Sequence, residues 1–314
     1  MPESLLFKSL KTLRTEQINL ETSDIDILPV RDILCKINNE DRKVADAVRE
    51  VIPEIESAVN FVVNSFSAGA RLIYVGAGTS GRLGIIDAAE CPPTFGTNPQ
   101  QVMGIIAGGR EAMFAAQEGA EDKPELGAND LKDISLSKND TVCGIAASGR
   151  TPYVKGALEY ANNKNCKTIL ISTSSKTHII EAGLKADVII SVDTGAEVIA
   201  GSTRMKSGTA QKMILNMIST ASMIRMGKTL GNVMIDLQLT NTKLKERAKK
   251  IIMEATAIGY DDASDYLTAA KYNVKTALVM IFGNVDYDTA KKNLEDSAGF
   301  VKLAIQKLNK DLNL

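Results

Sequence analysis

Between Gly76 and Gly96 the chain reads GAGTSGRLGIIDAAECPPTFG, with small and hydroxyl residues ahead of a helix and an acid at that helix's far end. The first N–H groups of a helix lack intrahelical acceptors and carry the positive end of its dipole, so such a loop suits an anion such as phosphate. Gly78 and Gly81 allow close backbone approach, while Thr79 and Ser80 add hydroxyl donors. A second stretch, Ala147-Ser148-Gly149-Arg150-Thr151-Pro152, repeats the Ser-Gly-Arg triplet of Ser80–Arg82 before another helix start, with Pro152 suited to its first turn. Lys206, near the start of a later helix, fits equally a phosphate-holding point charge and an ordinary surface lysine. Glu90 is expected to close its helix just ahead of Cys91-Pro92-Pro93. An ionised carboxylate at the negative end of the dipole costs about 0.3–1 kcal/mol. Burial there would raise its pKa further, as a general acid requires. A second acid lies in Glu118-Gly119-Ala120-Glu121-Asp122 with Glu125, where spacing alone does not separate Glu121 from its neighbours.

Positioning these groups requires a scaffold, and the hydrophobic pattern supplies one. Apolar or β-branched runs at Leu72–Val75, Val102–Ala107, Thr141–Ala146, Thr168–Ser172 and Val188–Val192 read as strands. Helical patterns separate them at about Ser80–Glu90, Arg110–Glu118, Pro152–Asn162 and Thr177–Leu184. This alternation predicts an α/β fold, a doubly wound five-stranded parallel sheet whose ligand sits beyond the carboxyl ends of the strands. An N-terminal arm, irregular to about residue 45, leads into a long helix from roughly Asn39 to Ser67, where Asn39-Glu40-Asp41 supplies cap residues. Another long helix runs from about Ser202 to Met226. Beyond Asn241 the composition shifts to charged amphipathic segments, Lys243–Thr256, Asp261–Asn273, Val274–Ile281 and Tyr287–Leu308. The expected division is therefore residues 1–240, the α/β domain with its arm and long helices, and 241–314, a small helical domain.

Composition narrows the chemistry. A net charge of −1, with no basic stripe and no tryptophan, argues against nucleic acid as a partner. No run reaches the 18 or so apolar residues of a membrane span, and MPESLLFKSLKTLRTEQ lacks the apolar core of an export signal, so a cytoplasmic location is expected. The four cysteines (Cys35, Cys91, Cys143, Cys166) are scattered and read as reduced thiols. With His178 the sole histidine, no metal site is expected. The glycine loop departs from the dinucleotide fingerprint, because Ser80-Gly81-Arg82 crowds its last position and no acid clearly ends the second strand.

These stretches together resemble the N-acetylmuramic acid 6-phosphate etherase family. The resemblance rests on Gly76–Gly96, Glu118–Asp122, Ala147–Pro152 and Gly201–Asn216 (GSTRMKSGTAQKMILN). Thr15-Glu16…Asn19 and Gly231-Asn232…Asp236-Leu237-Gln238 extend it over nearly the whole chain. It implies a sugar isomerase (SIS) domain followed by a small helical domain, in a homodimer without metal or organic cofactor. It further implies cleavage of a D-lactyl ether at carbon 3 of the sugar 6-phosphate by elimination and then addition of water, as part of peptidoglycan amino-sugar recycling. Glu90 is then the proton donor and Glu121 the second acid/base residue. Gly78, Thr79, Ser80, Gly81, Ser148, Gly149, Arg150 and Thr151, with Lys206, would bind the phosphorylated sugar. Two differences from the family stand out: Ser172-Thr173-Ser174-Ser175-Lys176 replaces an asparagine-proline type turn, and Ile18 and Leu20 replace an arginine and a proline. Two rivals are a sugar-phosphate isomerase, to which His178 would lend a ring-opening group, and a non-catalytic sugar-phosphate sensor.

Overall fold

The computed structural model describes residues 13–237, 239 and 242–311. Residues 1–12 of the leading segment read for an export signal, together with Gln238 and Asn241, lie outside these residues.

Five parallel strands form the expected sheet: β1 (Leu72–Gly76), β2 (Val102–Ile106), β3 (Thr141–Ile145), β4 (Lys167–Ser172) and β5 (Val188–Ser191). Their order is β2-β1-β3-β4-β5, so the winding reverses between β1 and β3. In such sheets the crevice outside the carboxyl ends at the reversal is where ligands bind. Register pairs Gly76 at the end of β1 with Ile106 on one side and Ile145 on the other. Every residue of β1 and β3 is buried, which explains their continuous apolar reading in place of alternation. The crossover helices are α3 (Gly78–Phe95), α4 (Pro124–Asp133), α5 (Pro152–Asn163) and α6 (Lys176–Glu181), and α7 (Lys206–Arg225) follows β5. One core of this unit packs Ile73, Val142 and Leu170 of the sheet against Leu131 of α4 and Val154 and Leu158 of α5.

Several boundaries differ from the sequence reading. The N-terminal helix is two, α1 (Val30–Arg49) and α2 (Ile52–Ser67), because Val51 leaves the helical conformation and Pro53 opens the second. Arg110–Glu118 holds only a 3-10 turn at Arg110–Met113, and the crossover helix is α4, whose Pro124 start carried the missed signal. Helix α3 does not stop at Glu90. It passes through Pro92 and Pro93 to Phe95: proline's fixed φ is compatible with a helix, although each loses an N–H bond and its ring crowds the carbonyl four residues back.

The chain divides into two compact units. One comprises residues up to Ala89 with Gln100–Ser219, and the other Glu90–Pro99 with Thr220 onward, so the division falls earlier than the composition shift after residue 240. The reason is local: the hairpin β6 (Thr229–Leu230) and β7 (Val233–Met234) leads into Ile235, which belongs to the core of the C-terminal helices. Those helices are α8 (Thr242–Thr256), α9 (Tyr260–Ala269), α10 (Val274–Gly283), α11 (Tyr287–Asp296) and α12 (Val301–Asp311). Asn273 and Asp286 cap α10 and α11 by accepting the N–H of Thr276 and Thr289. The single segment expected over Tyr287–Leu308 breaks where Ala298 and Gly299 take φ of 50° and 79°.

Candidate active site

Helix α3 begins at the very end of β1, and the two backbones nearly touch. A Cβ on Gly76 would lie 2.7 Å from the Gly81 nitrogen, and one on Gly81 would lie 2.7 Å from the Gly76 carbonyl oxygen. Only glycine permits that approach, which turns the first N–H groups of α3 toward the strand end. Gly78 is exposed, Thr79 half-buried, and Ser80 buried against α7, where its Oγ lies 2.9 Å from Gln211 Oε1. Arg82 reaches sideways, donating from Nε to the Met113 carbonyl at 3.2 Å.

The loop after β3 stands on the other side of the reversal. Gly149 has φ of +66°, and a Cβ there would meet Ile179 Cγ1 at 2.6 Å and Ser172 Oγ at 2.9 Å. Ser148, Arg150 and Thr151 are half-buried around it, and Thr151 is the N-cap residue of α5 without using its hydroxyl for capping. Glu121 is tied to this loop through the backbone, because its carbonyl accepts the Tyr153 N–H at 3.0 Å. The structure therefore sets the Glu121 backbone against the first turn of α5, into which Ser148–Thr151 leads, with its side chain exposed.

Sequence reasoning missed the contribution of β4 and α7. The Ser172–Ser175 run that replaces the expected turn folds back on the β3 loop: Ser172 Oγ donates to the Ala147 carbonyl at 3.1 Å, and the Thr173 N–H donates to the same oxygen at 3.1 Å. Thr173 Oγ1 lies 2.9 Å from Ser207 Oγ at the start of α7. The buried Glu197 carboxylate accepts the Lys206 and Ser207 N–H groups at 3.0 and 2.9 Å, capping that helix. The signal available was a hydroxyl run after a strand and an acid nine residues ahead of a helix. His178 is accounted for by α6, where its backbone N–H and its ring Nδ1 both contact the Ser175 hydroxyl.

Lys206 is not a surface lysine. Only 1% exposed, it donates to Glu40 Oε2 at 2.7 Å and to the Ala196 carbonyl at 2.9 Å. Glu40, expected as a helix cap, lies inside α1 and is buried, receiving further hydrogen bonds from Lys43 and Asn19. Burial would push its carboxyl upward, but the bonds from Lys206, Lys43 and Asn19 outweigh this and hold it at about 2. The cluster floors a polar cavity of about 420 Å³ that Arg14 and Thr194 also line.

Glu90 needs a correction in its physical premise. It is exposed and lies five residues before the end of α3, so neither the closing turn nor burial acts on it. One turn earlier, buried Asp87 accepts hydrogen bonds from Tyr74 (2.9 Å), Asn216 (2.6 Å) and Ser219 (3.1 Å), fixing this part of α3 against β1 and α7.

A parallel sheet with this reversal, and with hydroxyl-rich loops gathered at its carboxyl edge, is an α/β domain of the SIS class. Residues 54–162 match the family described as the glucokinase regulatory protein N-terminal SIS domain. Over almost its full length the chain is 53% identical to the N-acetylmuramic acid 6-phosphate etherase of Salinibacter ruber, across 308 residues and 98% of both chains. It is 54% identical to the etherase of Bacillus cytotoxicus over 296 residues, 94% of this chain and 100% of that one. The corresponding protein of Oceanobacillus iheyensis is 53% identical over 293 residues, 93% and 99% of the two chains. Among solved structures, phosphoheptose isomerase of Neisseria gonorrhoeae aligns over 61% of this chain and 97% of its own, at 11% identity and a TM-score of 0.44. The chain belongs to the N-acetylmuramic acid 6-phosphate etherase family.

Proposed function

We propose that this protein is a carbon–oxygen lyase acting on N-acetylmuramic acid 6-phosphate, giving N-acetylglucosamine 6-phosphate and D-lactate. The observation that carries the reading is the pair of helix starts on either side of the β1/β3 reversal, Gly78–Gly81 and Ser148–Thr151, in a chain of this family. Hydroxyls of the two loops, with backbone N–H groups of the first turn of α3, hold the phosphate, while the Gly81 and Gly149 N–H groups close the loops by donating to the Ala77 and Ala146 carbonyls.

Ring opening exposes an aldehyde, which makes the carbon-2 hydrogen acidic. A carboxylate takes that proton, the electron pair forms the carbon 2–carbon 3 double bond, and the carbon 3–oxygen bond breaks with lactate leaving. Water then adds across the double bond, hydroxyl to carbon 3 and proton to carbon 2. Glu90 donates the proton that the departing ether oxygen needs, and Glu121, whose backbone lies against the first turn of α5, is the second acid/base residue. Positioned proton transfer is typically worth about 10²–10⁴-fold for each such group. The same reading makes the protein a cytoplasmic homodimer that serves peptidoglycan amino-sugar recycling.

Incubation with N-acetylmuramic acid 6-phosphate in oxygen-18 water tests the reaction. The expected result is D-lactate without label and N-acetylglucosamine 6-phosphate labelled at carbon 3. Saturable binding of the sugar phosphate without lactate would overturn the lyase reading in favour of an isomerase or a sensor.

A further inference from the structure

Ser80 and Gln211 form a hydrogen-bonded pair beneath the first turn of α3, with exposures of 8% and 1%. The Ser80 hydroxyl lies 2.9 Å from Gln211 Oε1, while Gln211 Nε2 is buried without a partner among the described residues. A buried N–H left unmade is costly and rare, whereas an under-used carbonyl is tolerated more often. The oxygen and nitrogen of a side-chain amide are nearly isosteric, so a half-turn of the amide exchanges them with little steric change. In the turned amide Nε2 donates to Ser80 Oγ and the orphan becomes the carbonyl. The hydroxyl hydrogen of Ser80 is then released. Gln211 stands one turn into α7 from Gly208, whose Cβ position lies 3.5 Å from Thr79 Cγ2, so this part of α7 backs the loop.

We propose that Gln211 is a positioning residue for the sugar phosphate: its amide donates to Ser80 Oγ and so turns the Ser80 hydrogen toward a phosphate oxygen. The inference rests on the reading that Gly78–Gly81 receives the phosphate. It divides the labour between the two helices, with α3 presenting the hydroxyl and α7 setting its direction. A glutamate at position 211 would do the reverse, accepting the Ser80 hydrogen and setting a negative charge behind the anion.

The test is calorimetric binding of N-acetylglucosamine 6-phosphate to the full chain, beside lactate-release kinetics, in wild type, Gln211→Glu, Gln211→Met and Ser80→Ala. Gln211→Glu is expected to weaken binding about 10- to 100-fold, the scale of one hydrogen bond to a charged group. Gln211→Met, which keeps the volume and guards against misfolding, is expected to raise KM while leaving kcat near the wild-type value. Its effect should disappear when Ser80 is already alanine. Wild-type affinity in Gln211→Glu, or a Gln211→Met loss of equal size with and without the Ser80 hydroxyl, would overturn the proposal. A wild-type protein that binds no sugar 6-phosphate would instead overturn the phosphate reading on which it rests.

Discussion

The Lys206 ammonium lies 2.7 Å from the Glu40 carboxylate, with both side chains at most 4% exposed. The two residues are 166 positions apart in the sequence. Removing one partner leaves a desolvated charge, which typically costs about 3–5 kcal/mol. Lys206→Met should therefore lower unfolding free energy by that order in urea titrations, while Lys206→Met combined with Glu40→Leu recovers much of it. Equal stability of the single and double variants would show that the pair is not coupled.

The same carboxylate makes stability depend on acid. Its pKa is about 2 in the folded protein against an ordinary 4.5, so folding favours the ionised form. That contribution is complete above pH 4.5 and declines as pH falls toward 2, by roughly 3 kcal/mol in all. Urea midpoints measured from pH 6 to pH 2.5 should fall more steeply for wild type than for Glu40→Gln. Parallel curves would remove Glu40 from the acid response.

For Glu90→Gln the expected outcome is a loss of lactate release of about 10²–10⁴-fold, with sugar-phosphate affinity close to wild type. Because Glu90 is exposed, its amide should fold normally. Turnover at the wild-type rate would exclude Glu90 as the proton donor.

Gly149→Ala tests the loop after β3. The residue's φ of +66° and the 2.6 Å approach of Ile179 Cγ1 oppose any Cβ. A strained backbone of this kind costs about 1–3 kcal/mol, so the melting temperature should drop and KM for the sugar phosphate should rise. Replacing Ser148 by leucine should raise KM without the stability loss, since Ser148 is only half-buried. An unchanged KM in Ser148→Leu would place the phosphate elsewhere.

The strands were legible because β1 and β3 are buried on both faces and leave continuous apolar runs, each placed to within about a residue. The two glycine-hydroxyl loops were legible because such a loop ahead of a helix is a local pattern. The Lys206–Glu40 pair had no such signal, since its partners meet only through the tertiary fold. Glu90 shows the opposite fault: the local double proline implied a helix end, yet the helix continues because proline fits its φ. The break after α1 was hidden for a related reason, the apolar stripe being carried across Val51 with little interruption.

The N-terminal arm has a consequence for the order of folding. Thr22 Oγ1 donates to the Val198 carbonyl at 2.8 Å, the Thr15 carbonyl accepts the Gly201 N–H at 2.8 Å, and Asn19 donates to Glu40 and the Ala196 carbonyl. These residues are synthesised before their partners after β5, which leave the ribosome some 180 residues later, roughly ten seconds or more at ordinary elongation rates. Until then Glu40 has no Lys206, and the arm lacks its partners beyond β5. Closing this circuit is an act of late folding, in which the start of the chain waits for the turn into α7 to be made.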